Sequence, residues 1–333
     1  MKLITGGGVF TKGNIAAING NFAQLFGGFT PGNTLYCNPS ATGASAQDGS
    51  SGSPYNTLAG AYSNARAGMN DVIVLVGNGL LSGTARIDAS FTWAKDATHL
   101  IGVSAPSLLS QRSRLAPTPA TTAFTPFFTI SGSGCIFQNI QWFHGFTTGG
   151  AAQVNVVVTG ERNVFQNCHF AGMGDAASAV DAGSRSLVIG AAGSGENLFD
   201  SCTIGIDTGT KRTGANASLE FAGATVRNVF RNCLFPFWCS AATPLGILGT
   251  GNECVDRFQL FDNCSFINAT GSTSTTMTVL GSFTTASPGG ILLYKQCILI
   301  AIGEYGDTNA LANSYIDGFT GIAGTSGIAV KPT

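Results

Sequence analysis

Charge is scarce in this chain. Of its 333 residues only 10% are Asp, Glu, Lys or Arg, against roughly 25% in an average soluble domain. The formal net charge is -1, so no overall basic field draws the chain to nucleic acid or to an acidic membrane. Ser, Thr, Asn, Gln and Gly must therefore cover most of its surface. Long apolar runs are missing as well. Mean hydropathy is +0.24, yet no stretch approaches the ~18 apolar residues of a membrane span. Residues Met1 to Gly8 lack the apolar core of a secretory signal and carry no lipidation motif, so neither is expected. The nine cysteines include no CxxC pair, and His99, His144 and His169 do not cluster with them. That spacing argues against a zinc site, and no cofactor is implied. Nine is odd, so at least one thiol stays unpaired within the chain.

What is abundant is glycine, 46 residues, the mark of many turns, together with a repeat. The run Val164-Phe165-Gln166-Asn167-Cys168-His169-Phe170 returns as Leu198-Phe199-Asp200-Ser201-Cys202-Thr203-Ile204. It returns again as Val229-Phe230-Arg231-Asn232-Cys233-Leu234-Phe235 and as Leu260-Phe261-Asp262-Asn263-Cys264-Ser265-Phe266. A degenerate copy ends in Cys297, and an earlier copy, Ile136-Phe137-Gln138-Asn139-Ile140, lacks the thiol. Steps between the cysteines are 34, 31, 31 and 33 residues. Helical repeats of that length need Ala- and Leu-rich amphipathic segments. Here the segments are short, β-branched and aromatic, such as 72–76, 154–158 and 186–189, and Gly or Asn bounds them, so they read as strands. The pattern predicts a solenoid of about seven coils with three short strands in each.

Phe199 and Cys202 are both apolar, which breaks strict alternation. A bend at position 201 lets both face inward, and Asn suits the equivalent positions because it tolerates the left-handed backbone region. Stacked Asn139, Asn167, Asn232 and Asn263 are able to bond to one another along the axis. Cys168, Cys202, Cys233, Cys264 and Cys297 read as buried free thiols in a column. On that reading Cys233→Ser buries a hydroxyl without an assured partner, at ~1–3 kcal/mol. Any disulfide would involve Cys37, Cys135, Cys239 or Cys254, which lie off the ladder. The outward column Gln166, Asp200, Arg231, Asp262, Lys295 alternates in sign and reads as an ion-pair ladder. The sharper alternative makes Asp200 and Asp262 a catalytic pair. They would stand roughly 9.6 Å apart, two coils of ~4.8 Å, at the top of the range of about 6.5–9.5 Å used by inverting glycosidases. Arg231 between them would hold both ionised, which disfavours a general acid. For Asp175, Asp181, Glu196, Asp207 and Glu220 no spacing indicates that they meet on another face. Trp93, Trp142, Phe237, Trp238 and Tyr305 read as core, with a sugar groove as the alternative. The N-x-S/T matches at Asn216, Asn263 and Asn268 read as chance.

In these copies the chain resembles the single-stranded right-handed parallel β-helix of the pectin lyase-like superfamily, over about residues 35–300. The lead-in agrees: Tyr36-Cys37-Asn38-Pro39, then Ser53 to Leu58, an Ala-rich stretch to Ala67, and Asp71-Val72-Ile73-Val74. The resemblance implies an all-β fold with short N-terminal helices, one of which caps the open end. Pectate lyases use an Asp cluster with an Arg base, and no such set is assignable here residue by residue, so the resemblance carries fold and no activity.

Residues 1–34 precede the solenoid. Ile15, Ile18, Phe22, Leu25 and Phe26 share one helical face, and Asn14 or Thr11 is placed to cap it. So short a helix is marginal alone in water, so its apolar face must dock. Asn14-Ile15-Ala16-Ala17-Ile18-Asn19-Gly20-Asn21-Phe22 is similar to the N-termini of tailed-phage virion proteins. That resemblance implies a non-enzymatic capsid decoration or cement protein on the virion surface, made in the host cytoplasm. Its partners would be itself, as a homotrimer, and a phage capsid protein, with no nucleic acid and no membrane. The alternative is a short tailspike or fibre that binds or hydrolyses host-surface glycan. Residues 301–333 are expected to close the solenoid or to pair with another subunit.

Overall fold

The structure, a computed structural model, describes residues 32–317 apart from 43–46, 106, 108, 110–112, 191–193, 270–276 and 287. The proposed attachment residues Ile15, Ile18, Phe22, Leu25 and Phe26 lie outside the described residues, as does 318–333.

One coil shows how the repeat becomes structure. Leu198–Asp200 runs as a strand with Phe199 buried. Ser201 then takes a φ of 55°, in the left-handed region, and turns the chain. Cys202 points inward and Thr203–Ile204 forms the next strand. The chain returns through Ala217–Ala222 and starts the next coil at Thr225–Arg231. Equivalent positions bend in the same way: Asn139 at 56°, Asn167 at 49°, Asn232 at 54°, Asn263 at 53° and Gln296 at 51°. Asn and Ser tolerate this backbone better than a β-branched residue.

Stacking the coils gives three parallel sheets. The first face has ten strands, from Thr34–Cys37 to Ser314–Ile316, and includes every Phe-x-Asn strand. The second face, after the bend, and the third face, on the return, have eight strands each. The expected solenoid is therefore present, with two coils, 71–93 and 98–130, before the first Asn bend and one further first-face strand after the copy that ends in Cys297. It also continues past residue 300. Ile302–Gly306 pairs with Met277–Phe283 on the third face, and Ser314–Ile316 pairs with Ile291–Lys295 on the first.

The interior is a set of aromatic columns. Phe137, Phe165, Phe199, Phe230, Phe261 and Tyr294 stack ring on ring, with centroids 5.1, 4.6, 4.7, 4.8 and 5.1 Å apart. Trp142 lies 5.1 Å from Phe170, and Phe235 lies 4.6 Å from Phe266, in a second column. Each fully buried Phe contributes about 1.5–3 kcal/mol relative to exposure, and the parallel rings add offset stacking. A helix, Leu58–Asn64, covers the N-terminal end and buries Leu58 and Ala61. Its Tyr62 packs on Trp93 at 4.6 Å. Lys95 Nζ donates to the Tyr62 and Ala65 carbonyls, both at 2.6 Å, where a cation offsets the negative end of the helix.

This packing bears out the core reading of the aromatics and the buried free thiols, and it corrects one expectation, that a hydroxyl at 233 would lack a partner. Trp93, Trp142 and Phe237 are fully buried and Tyr305 nearly so, so they cannot line a sugar groove. Only Trp238 of that group is partly exposed, with Lys211 Nζ 5.7 Å from its ring. Cys37, Cys135, Cys239 and Cys254 are free and buried rather than bridged. The ladder thiols do have partners. Sγ of Cys168, Cys202 and Cys233 lies 3.3 Å from the carbonyl of Phe137, Phe165 and Phe199 in the preceding coil. Cys264 and Cys297 repeat the contact at 3.4 Å with Phe230 and Phe261. A serine hydroxyl at 233 would therefore have an acceptor in reach.

Candidate functional site

The outward column on the first face is in register from Gln138 to Lys295. Gln138 Nε2 donates to Gln166 Oε1 at 3.0 Å. Arg231 grips Asp200 with two hydrogen bonds, Nε to Oδ1 and Nη2 to Oδ2, both 3.1 Å. Lys295 Nζ lies 3.1 Å from Asp262 Oδ1. The column thus resolves into two ion pairs, Asp200–Arg231 and Asp262–Lys295, with a guanidinium between the two carboxylates. The other carboxylates do not gather. Asp175 caps the short helix Ala176–Val180, Asp181 accepts from Ala152 N and Gly183 N, Glu196 sits between Arg162 and Arg227, and Glu220 pairs with Arg185. Among the described residues no three His, Cys, Asp or Glu side chains come together as metal ligands.

The Asn ladder at the bend forms, with a break. Asn167 Nδ2 donates to Asn139 Oδ1 at 2.8 Å, and Asn263 Nδ2 to Asn232 Oδ1 at 2.9 Å. Ser201, too short to span two coils, separates the pairs. A second amide ladder, which the sequence reading missed, is fully buried at the start of the same strands. Asn163 N donates to Asn197 Oδ1 at 2.9 Å, Asn197 Nδ2 to Asn228 Oδ1 at 3.0 Å, and Asn228 Nδ2 to Gln259 Oε1 at 2.9 Å. Gln259 Nε2 closes it on the Thr225 carbonyl at 2.9 Å. The signal was available: Asn163, Asn197, Asn228 and Gln259 each stand two residues before the stacked Phe. Of the N-x-S/T positions, Asn216 and Asn268 are buried, and only Asn263 reaches the surface.

The second face carries a different column. Arg114, Gln141, His169 and Thr203 follow one another in register. Leu109, Phe143, Ile206, Asp207 and Thr208 close around the first three and leave a cavity of about 190 Å³. Arg114 stacks over the Phe143 ring at 4.2 Å. His169 Nε2 faces the Gly205 carbonyl at 2.9 Å, so Nε2 carries the proton. Nδ1 must then accept, and Gln141 Nε2 donates to it at 3.2 Å. That orientation leaves Gln141 Oε1 buried and without a partner. Burial lowers the His169 pKa to about 4, so the ring is neutral and this chain of donors is fixed near neutral pH. Sequence reasoning did not single out this group.

No protein-family profile matches the chain, and no curated protein matches it in sequence. Among solved structures it is similar to a pectin methylesterase mutant in complex with a hexasaccharide, at 18% identity over 80% of this chain and 81% of that one, TM-score 0.52. It is similar to the pectin methylesterase of Erwinia chrysanthemi, at 15% identity over 91% and 94%, TM-score 0.52. A pectate lyase follows at 13% identity over 78% and 61%, TM-score 0.51. At such identities the likeness is one of architecture: this chain has the right-handed parallel β-helix fold of the pectin lyase-like proteins.

Proposed function

We propose that this chain is a non-enzymatic structural protein, a rigid β-helical body carried on a tailed-phage particle as a capsid decoration or cement protein. The observation that carries it is the outward column of the first face, where Asp200 and Asp262 are each tied to a cation from the next coil. Hydrolysis by a carboxyl pair needs both groups open to substrate and water, and here each carboxylate is engaged by a cation of the next coil. The N-terminal face of Ile15, Ile18, Phe22, Leu25 and Phe26 supports attachment, and a homotrimer with a capsid-protein partner belongs to the same reading. Deletion of residues 1–30 is expected to leave a folded solenoid that no longer joins particles. D200N and D262N are expected to cost under about 1 kcal/mol each, as exposed pairs do, and to leave attachment intact. Co-sedimentation with particles and a glycan-cleavage assay read both. Attachment that survives the deletion, or cleavage that is lost in D200N, would overturn the proposal.

A further inference from the structure

We propose that the outer surface of the first face binds a second copy of this chain, packed antiparallel about a twofold axis that passes between the Val229 and Leu260 coils. This goes beyond the structural reading above and does not depend on it. Beside the charge column of this face runs an apolar one. Val164, Leu198, Val229, Leu260, Leu293 and Tyr315 follow one another in register. Their chain neighbours point inward, so these six side chains point outward, and all six are half-buried. At ~4.8 Å per coil they form a strip about 24 Å long with no break in it. One rim of the strip is Asp200, Arg231, Asp262 and Lys295. The other holds Glu196 and Arg227, which pair with each other. An apolar strip between charged rims has the layout of a protein interface.

The signs select the occupant and its direction. From Asp200 to Lys295 the rim reads minus, plus, minus, plus. Turned end for end, it reads plus, minus, plus, minus, so it is complementary to itself. About the proposed axis Asp200 faces the partner's Lys295, and Arg231 faces the partner's Asp262. The cations are placed to reach across, since the side chains of Arg231 and Lys295 are 48% and 53% exposed. The same axis sets Val229 on the partner's Leu260, Leu198 on its Leu293 and Val164 on its Tyr315. Parallel packing on this face does the reverse. Opposite rims then meet at equal height, Asp200 against the partner's Glu196 and Arg231 against its Arg227, and like charges across an interface are costly. A threefold axis along the solenoid makes those same contacts, so the homotrimer of the preceding reading would have to use another face. Five residues at ~3.3 Å give the strip a width of about 16 Å. An interface of that size falls below ~1,200 Å², the class of weak and reversible contacts.

Sedimentation equilibrium of the full chain from ~1 μM to ~1 mM tests this. A reversible doubling of mass is expected. V229D, an outward change beside the axis, is expected to weaken the association tenfold or more with an unchanged melting temperature. Mild oxidation of L198C mixed with L293C is expected to give a disulfide-linked pair. L198C alone, like the parent, is expected to give none. Its two copies would stand three coils apart, ~14 Å, beyond the ~7 Å that a bridge spans. A mass that does not change with concentration, a V229D chain that associates as the parent does, or L198C that links to itself as readily as to L293C would overturn the proposal.

Discussion

All three histidines are buried: His99, His144 and His169 are 5%, 0% and 3% exposed. Burial disfavours the imidazolium, and it lowers His144 and His169 to about 4. His99 is lowered by the same cause. The unfolded chain, with imidazoles near 6.5, therefore takes up protons first as pH falls. Stability present above pH 6.5 is lost between about 6.5 and 4. Each of His144 and His169 is expected to cost on the order of 2 kcal/mol by pH 4.5. Urea midpoints at pH 7.5 and 4.5 measure this, and the double variant His144→Gln, His169→Gln should flatten the difference. A midpoint that stays constant across that window would mean the imidazoles reach solvent. The thiols give the opposite lesson at the same scale. Five cysteines look like simple apolar filler, yet each Sγ meets the carbonyl of a stacked Phe or its equivalent, a polar contact that a hydropathy reading does not see.

At the level of the element, the two amide ladders predict unequal losses. Removing the Asn228 side chain takes from Asn197 N its acceptor, Asn228 Oδ1, and takes one partner each from Asn197 Nδ2 and Gln259 Oε1, which keep the Gly160 carbonyl and Asn228 N. Asn228→Ala is expected to lower stability by about 1–3 kcal/mol, the penalty for one buried donor left without its acceptor. Asn232 stands at the exposed bend with a φ of 54°, where Gly adopts the backbone at least as well. Asn232→Gly is expected to change stability by less than about 1 kcal/mol. Denaturant titration of the two variants decides, and equal losses would mean that both ladders bear the same load. The strands, the bend and the charge column were legible because each repeats at one offset from a cysteine. The buried ladder repeats as faithfully, but its Asn and Gln residues read as turn residues, because only stacking shows that their partners lie a full coil away. The cavity was half legible. Gln141, His169 and Thr203 each follow the inward residue of the ladder, whereas Arg114 and Asp207 lie in segments with no repeated motif. Only the turn of the coil brings them beside it.

For the molecule as a whole, contacts are nearly one-dimensional, since each coil bonds to the coil before it and the coil after it. The end helix Leu58–Asn64 therefore covers the N-terminal end of the stack, where an open solenoid would expose apolar side chains. This arrangement also sets how the chain responds to tension. Strands run across the long axis, so their backbone hydrogen bonds run along it, and a pull on the two chain ends peels one coil from the next instead of shearing a sheet. The load falls on one coil's bonds at a time, while those behind it are unstressed. Coils of 31 residues between successive ladder cysteines would each release ~100 Å of extended chain, at ~3.3–3.6 Å per residue. Optical-trap records are expected to show a series of low, evenly spaced rips of that length. One high rip that released the whole solenoid would mean that the aromatic columns couple the coils more tightly than their backbone bonds do.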